Sequence, residues 1–287
     1  MNIGIVGNGF VGKATALLGC RDERGTYRSE DNVIMTYDKD PDKRVPREVE
    51  LHHLKDCGVV FVCVPTPMNK DGSCYTGIVE EVIEELRSND VEDIVIRSTV
   101  PVGFCREQGV NFMPEFLTEA SWGEDFKSCR NWVFGLDDPD NKDLKLKLRQ
   151  IFLTAKHNGK INHANFMFCP SEVAELSKYA RNCFLATKVS FFNEIEEFCR
   201  VKNISYEQVR ELVGMDDRIG TSHTSVPGPD GKRGFGGTCF PKDISSLFNQ
   251  MASSGMESYV VEAACARNVQ VDRKGQDWKN SKGRAVV

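Results

Sequence analysis

Along the first ~170 positions of the 287-residue chain, short β-branched runs alternate with stretches whose apolar residues recur every three or four positions. The runs predict strands at Asn2–Val6, Val33–Tyr37, Val59–Val64, Asp93–Arg97, Val110–Met113 and Trp132–Gly135. Between them, Gly77–Arg87 places Ile78, Val82, Ile83 and Leu86 at helical spacing. Strands alternating with amphipathic helices predict an α/β fold with a parallel sheet. Near position 170 the pattern changes. Pro170 and Ser171 mark a helix start, with Ser171 as N-cap and Glu172 in the first turn. From there Val173, Leu176, Phe184, Val189, Phe192, Ile195 and Phe198 put apolar residues on nearly every face of one helix reaching about Val201. Such a helix is expected to be buried, between domains or between subunits. A second helix over Tyr206–Val213, a long Gly/Pro/Ser-rich loop from Gly214 to Thr238, and helices beginning near Pro241 and Glu257 complete the pattern. The division read from this is a sheet domain over 1–170, a mainly helical second domain built on the long helix over 171–274, and a polar, frayed tail over 275–287.

Composition narrows the function classes. A formal net charge of −5 without a basic stripe argues against nucleic acid as a partner. No run reaches the ~18 apolar residues of a membrane span, and Met1–Val6 enters a strand directly with no basic leader, so a cytoplasmic location is expected. The eleven cysteines include no C-x-x-C pair, and Cys63, Cys183 and Cys199 sit in apolar runs, as reduced buried thiols do. The five histidines show no ligand spacing, so no metal is predicted.

Gly7-Asn8-Gly9-Phe10-Val11-Gly12 follows a strand and opens a helix. Gly7 permits the tight turn, Gly9 lets backbone approach a pyrophosphate, and Gly12 lets helix and strand pack closely, the fingerprint of a Rossmann-type dinucleotide site. The helix N-terminus adds N–H donors and a positive dipole end. Asp38 ends the second strand, where a carboxylate accepts both ribose hydroxyls and repels a 2′-phosphate. That predicts NAD as the cofactor, with Lys43 close by weakening the preference slightly.

The other chemical stretch is Gly234-Phe235-Gly236-Gly237-Thr238-Cys239-Phe240-Pro241-Lys242-Asp243. Pro241 belongs early in a helix, so Cys239 stands at a helix N-terminus, where dipole and Lys242 favour thiolate. Asp243, one turn on, shares its face. A cysteine beside a glycine turn is by itself more often structural.

These segments together resemble the UDP-glucose/GDP-mannose dehydrogenase family. The resemblance covers nearly the whole chain and rests on GIVGNGFVG at Gly4–Gly12, VCVPTP at Val62–Pro67, STVPVG at Ser98–Gly103 and PEFLTE at Pro114–Glu119. ELSKYARN at Glu175–Asn182, MDDRIG at Met215–Gly220 and the cysteine segment complete it. It implies a four-electron oxidation of a nucleotide sugar, most simply UDP-glucose to UDP-glucuronate, by two hydride transfers to NAD through a thiohemiacetal and thioester on Cys239. Lys178 and Asn182, at i and i+4, resemble the donors to the developing oxyanion. Glu115 resembles the acid/base and Asp243 the group that places the hydrolytic water. Thr99 and Glu119 resemble groups lining the nicotinamide and the water. Val64, Pro65, Thr66, Pro67, Ser98 and Lys242 fall to the cofactor side. Phe116, Leu117, Phe235 and Gly236 fall to the substrate side. Arg218 resembles an arginine that reaches the sugar from a partner subunit, which implies a homodimer.

Each residue has a plainer reading: Lys178 paired with Glu175, Glu115 and Glu119 as loop carboxylates, Arg218 as a surface charge, Thr99 as a cap. The family usually carries a third, C-terminal α/β domain that holds the nucleotide; the resemblance stops short of it, which leaves open a natural short form, a fragment or one half of a split enzyme. The loop Thr221–Arg233 is then expected to fold over the substrate, with His223, Lys232 and Arg233 near its phosphates. The motifs leave open another sugar nucleotide, such as GDP-mannose or a UDP-amino sugar, and a non-catalytic NAD-binding subunit.

Overall fold

The structure, a computed structural model, describes residues 1–20 and 31–287. Seven strands form one sheet: β1 Asn2–Val6, β2 Val33–Tyr37, β3 Val59–Val62, β4 Ile94–Ile96, β5 Asn111–Phe112, β6 Asn131–Leu136 and β7 Asn165–Pro170. Their order is β2-β1-β3-β4-β5-β6-β7, and every pairing is parallel except β5 with β6. The single register contact Phe112↔Gly135 carries that antiparallel pairing, a departure from the all-parallel expectation. Six strands lie where the apolar runs put them; β3, β4 and β5 are shorter than the runs and β6 is longer. The seventh, β7, was not expected: its Asn165-Phe166-Met167-Phe168 run alternates too briefly to separate from the helix signal at Ser171.

Side-chain alternation sorts the sheet's two faces. Ile3, Ile5, Val59, Phe61 and Val95 point to one core, completed by Ala14 of α1 (Phe10–Ala16), Phe126 of α4 (Trp122–Ser128) and Leu144, Leu148, Ile151 and Phe152 of α5 (Lys142–His157). Val60, Val62, Ile94 and Ile96 point to the other, covered by Val79, Ile83 and Leu86 of α2 (Gly77–Ser88) and by Phe104 and Cys105 of α3 (Phe104–Glu107). Burial on both faces explains why these strands read as continuous apolar runs.

The long helix α6 spans Ser171–Lys202, followed by α7 (Tyr206–Gly214), α8 (Phe240–Ser253) and α9 (Tyr259–Arg267). The chain forms two compact units, 1–66 with 76–178 and 67–75 with 179–287. The division differs from a cut at residue 170: it falls inside α6, and the segment 67–75 belongs with the helices. In the sheet unit, the first turn of α6 is seated on β6, because a Cβ on Gly135 would stand 2.8 Å from both Ala174 Cβ and Ser171 Cα. In the helical unit, Tyr179, Cys183, Ala186, Phe235, Ile244, Leu247 and Ala264 form a core of their own.

The all-round apolar α6 keeps part of its surface uncovered in the single chain, where Phe184, Phe191, Phe198 and Val201 are each more than half exposed, as the expected place between subunits would have it. One expectation needs correction. The stretch beyond Asp272 is not frayed, since Trp278 and Ala285 are buried and Arg273 pairs with Asp277 at 2.8 Å. Among the described residues, no helix is long and apolar enough to cross a membrane.

Candidate functional site

In the sheet unit, β1 ends in the glycine turn. Gly7 has φ +95°, its N–H donates to the Tyr37 carbonyl at 2.8 Å, and a Cβ there would meet the Cys63 carbonyl oxygen at 2.8 Å. A Cβ on Gly12 would fall 1.9 Å from the Gly7 carbonyl oxygen, so the chain's own packing requires glycine at both positions. Gly9 differs. It caps α1 with an ordinary φ of −74°, and a Cβ added there meets nothing within 4 Å. The turn thus leaves open space at the glycine that close approach of a pyrophosphate calls for. Asp38 supports the same reading: its carboxylate accepts from the backbone N–H of Asn8 at 2.7 Å and of Asp40 at 2.9 Å, which holds it beside the turn. Lys43 pairs with Asp40 at 3.1 Å, and Asp38 acts on its ammonium more weakly than Asp40 does. Ser98 is buried and donates to the Val64 carbonyl at 2.6 Å, tying the ends of β3 and β4 together, with Thr66 also buried.

Further along the same unit, Glu115 and Lys178 are both buried and ion-paired at 2.9 Å. Lys178 Nζ also donates to the Glu115 carbonyl, and Glu115 accepts from the Leu117 N–H. Phe116 lies over the ammonium, 5.8 Å from ring centroid to Nζ. The plainer pairing of Lys178 with Glu175 is not made. Glu175 is fully buried and instead accepts the N–H groups of Gly103 at 2.6 Å and Cys105 at 2.9 Å, holding the STVPVG loop onto α6. Glu119 lies on the exposed loop ahead of α4.

In the helical unit, Cys239 is the N-cap of α8, and its carbonyl accepts from the Asp243 N–H at 2.8 Å. Thr238 Oγ1 lies 3.8 Å from the Cys239 sulfur. Asp243 does not point into solvent. It is buried between Asn182 Nδ2 at 2.6 Å and Lys242 Nζ at 2.6 Å, so each carboxylate oxygen has a donor. Lys242, expected on the cofactor, therefore has its ammonium on Asp243. Burial works to lower the Lys242 pKa, yet Asp243 foremost, then Cys74 and Cys239, push it up, and the net direction is upward. A permanent cation thus stands next to the cysteine segment.

Lys178 and Asn182 each hold a carboxylate. An ammonium has three N–H groups and an amide two, so after these bonds one donor hydrogen remains on each side chain for an oxyanion.

The cysteine loop is held by residues that the motifs did not reveal. Asn268 accepts from the Phe235 N–H and donates to the Phe235 carbonyl, both at 2.9 Å, imitating a strand partner. Asn193 accepts from the Gly234 N–H at 3.1 Å. The Arg273 guanidinium fills the place of a Gly236 side chain, 2.4 Å from where its Cβ would be, which explains that glycine. Buried asparagines in a helical pattern are the one sequence signal that could have marked the first two.

The expectation for the Thr221–Arg233 loop fails. Lys232 is paired with Asp277 at 2.6 Å, and Arg233 with Glu196 and, at 3.5 Å, Asp272, so these cations pin the loop to the chain. His223 packs on Phe240, ring centroids 5.7 Å apart, and burial, then Lys188 and Arg181, lower its pKa. Arg218 is highly exposed and folds back on Asp216, with Nη2 at 2.6 Å and Nε at 2.9 Å, while Lys188 holds the loop through the Ile219 carbonyl at 2.7 Å. Another buried cation escaped notice: Arg97, at the end of β4, donates to Thr15 Oγ1 at 2.8 Å from inside the core.

Comparison with known proteins agrees with this geometry. Residues 39–155 match the NAD binding domain, and residues 172–270 the central domain, of the UDP-glucose/GDP-mannose dehydrogenase family. UDP-glucose 6-dehydrogenase from Rickettsia bellii is 31% identical over 93% of this chain and 67% of its own length. The chain belongs to the UDP-glucose/GDP-mannose dehydrogenase family. UDP-glucose 6-dehydrogenase from Pseudomonas aeruginosa is 34% identical over 75% of the chain and 49% of its own length. The solved structure of a UDP-glucose dehydrogenase from Pyrobaculum islandicum superposes with a TM-score of 0.78 at 25% identity, covering 93% of this chain and 67% of that one. The chain thus spans from about half to about two-thirds of the length of these relatives. NAD is the cofactor that the family's first domain brings to this chain, and the open space at Gly9 with the carboxylate of Asp38 beside it fits that group.

Proposed function

We propose that the chain is an NAD-dependent nucleotide-sugar dehydrogenase that oxidises the primary alcohol of UDP-glucose to the carboxylate of UDP-glucuronate through Cys239. The observation that carries this is the arrangement at the start of α8: a cysteine at the helix N-cap, with the buried Asn182–Asp243–Lys242 cluster directly behind it. A two-electron alcohol dehydrogenase has no use for a nucleophilic thiol at such a position. The relatives named UDP-glucose 6-dehydrogenase support the choice of sugar nucleotide.

NAD, when bound, supplies the hydride acceptor for each oxidation. The chain's residues do the rest. Glu115, held by Lys178, takes the alcohol proton as the first hydride leaves. The Cys239 thiolate, favoured by the helix dipole and by the Lys242 charge, adds to the aldehyde carbon and forms a thiohemiacetal. The remaining N–H groups of Lys178 and Asn182 stabilise the oxyanion. Loss of the second hydride leaves a thioester on sulfur. Water, oriented by Asp243, then releases the acid and restores the thiol. Glu119 and Thr99 are assigned to the nicotinamide side. The exposed stripe Phe184, Phe191 and Phe198 repeats every seven residues, which supports a homodimer formed along α6, with Arg218 offered to the partner's sugar.

The test is stoichiometry. Two NADH per UDP-glucose consumed is expected, and Cys239→Ser is expected to lose uronate formation. One NADH per sugar, or a Cys239→Ser enzyme that still makes uronate, would refute the proposal.

A further inference from the structure

The segment 67–75 of the helical unit runs along one side of α8 as a tight hairpin. Met68 bridges Cys74 antiparallel, and the Asn69 N–H donates to the Ser73 carbonyl at 2.8 Å, closing its tip. At the tip, Asn249 Nδ2 donates to the Asp71 carbonyl at 3.0 Å. One residue on, a Cβ at Gly72 would stand 3.5 Å from Ser245 Cβ. As the hairpin advances from residue 71 to 72, its contacts therefore step one turn along α8 towards the helix N-terminus. Asn249, Ser245, Lys242 and Cys239 follow one another on that side of the helix at intervals of three or four. Along the axis, Lys242 lies about 4.5 Å and Cys239 about 9 Å from Ser245. Two further residues of extended chain cover about 6–7 Å. The register thus carries Cys74 to the stretch between Lys242 and Cys239.

The electrostatics agree with that register. Both Cys74 and Cys239 act on the buried Lys242 ammonium, and Cys74 also acts on the phenol of Tyr179, whose hydroxyl lies 3.0 Å from Ser246 Oγ on the second turn of α8. One ammonium thus favours the thiolate form of two cysteines at once. The other thiols of this core are poor competitors: burial pushes the Cys183 thiol far up and that of Cys265 up to about 11.

We propose that Cys74 is the resolving thiol of Cys239, and that peroxide closes a Cys74–Cys239 disulfide which reversibly switches the chain off. In the first step the Cys239 thiolate attacks a peroxide oxygen. The O–O bond breaks, an S–O bond forms, hydroxide leaves and sulfur loses two electrons to give the sulfenic acid. In the second, the Cys74 sulfur attacks the Cys239 sulfur. The S–S bond forms, the S–O bond breaks, and the departing hydroxide leaves as water with the Cys74 proton. The sum is two thiols and one peroxide giving one disulfide and two waters; a dithiol reverses it. The disulfide itself does not depend on the dehydrogenase reading, whereas the loss of activity rests on it.

The full chain is treated with hydrogen peroxide, digested without reductant and analysed by mass spectrometry. The expected product is a peptide joining Cys74 to Cys239, lighter by two hydrogens than the separate peptides and absent after dithiothreitol. With Cys74→Ser, Cys239 is expected to proceed to the sulfinic acid, which dithiothreitol does not reverse. NADH formation from UDP-glucose should fall with the linkage and return with dithiothreitol in the parent, but not return in Cys74→Ser. A parent without the linked peptide, or with Cys239 joined to Cys183 or Cys265, overturns the proposal. So does a Cys74→Ser chain that recovers as the parent does. A linked peptide in a chain inactive on UDP-glucose from the start upholds the disulfide and removes only the dehydrogenase reading.

Discussion

Adding the same methyl group to Gly9 and to Gly12 separates what the fold needs from what the cofactor needs. At Gly12 the new Cβ would lie 1.9 Å from the Gly7 carbonyl oxygen, a backbone atom that cannot swing aside. Overpacking of that kind costs about 1–3 kcal/mol or more, and at roughly 2–4 °C per kcal/mol for a chain of this size it lowers Tm by several degrees. At Gly9 the Cβ meets nothing within 4 Å and φ is −74°, so the fold bears only the weaker N-cap preference of alanine, about 1 kcal/mol or less. With cofactor the order inverts. NAD at a hundred times its Kd stabilises the parent by about 2.7 kcal/mol, roughly 5–10 °C on the same scale. Gly9→Ala occupies the space of the pyrophosphate and is expected to lose most of that rise. Scanning calorimetry of the parent and both variants, with and without NAD, measures all of these values. A Gly9→Ala chain that keeps the full NAD-dependent rise, or a Gly12→Ala chain that melts with the parent, would refute the reasoning.

The carboxyl of Glu175 provides a pH test. Burial raises its pKa against the two backbone N–H groups that lower it, so its contribution to stability is complete below the ordinary carboxylate range and is lost as pH rises through the raised value. The urea midpoint of the parent, measured relative to Glu175→Gln, should therefore decline with rising pH across that window; a flat or rising difference contradicts the assignment. At Arg218, the exposed pair with Asp216 is screened by solvent and adds little to stability. Arg218→Ala should leave Tm unchanged while raising KM for UDP-glucose, and sedimentation of the same sample should match that of the parent. An unchanged KM removes the arginine from the substrate.

Much of the sheet unit was legible because its signals are local. Both-face burial makes β1, β3 and β4 continuous apolar runs, and Gly7, Gly9 and Gly12 sit at spacings that a strand–turn–helix junction imposes. Strand direction is not a local property, and the antiparallel pairing of β5 with β6 passed unseen. For the candidate chemistry, spacing drew attention to Cys239 and Asp243 and the family resemblance to Lys178, Asn182 and Glu115, but neither revealed the partners of each. Lys178 holds Glu115 across 63 positions and Asn182 holds Asp243 across 61.

What the amino-acid order determined alone is six of the strands, the long helix α6, the glycine turn and the cysteine at a helix start, since each follows from backbone preference and periodicity within a few residues. Tertiary structure decided which charges are spent on the fold and which remain for chemistry. Lys232 and Arg233 look like phosphate ligands in sequence, yet in the fold they are paired with Asp277 and Glu196, partners 45 and 37 positions away that only folding brings beside them. The same long-range packing lays residues 67–75 along α8, from Asp71 at Asn249 to Gly72 at Ser245.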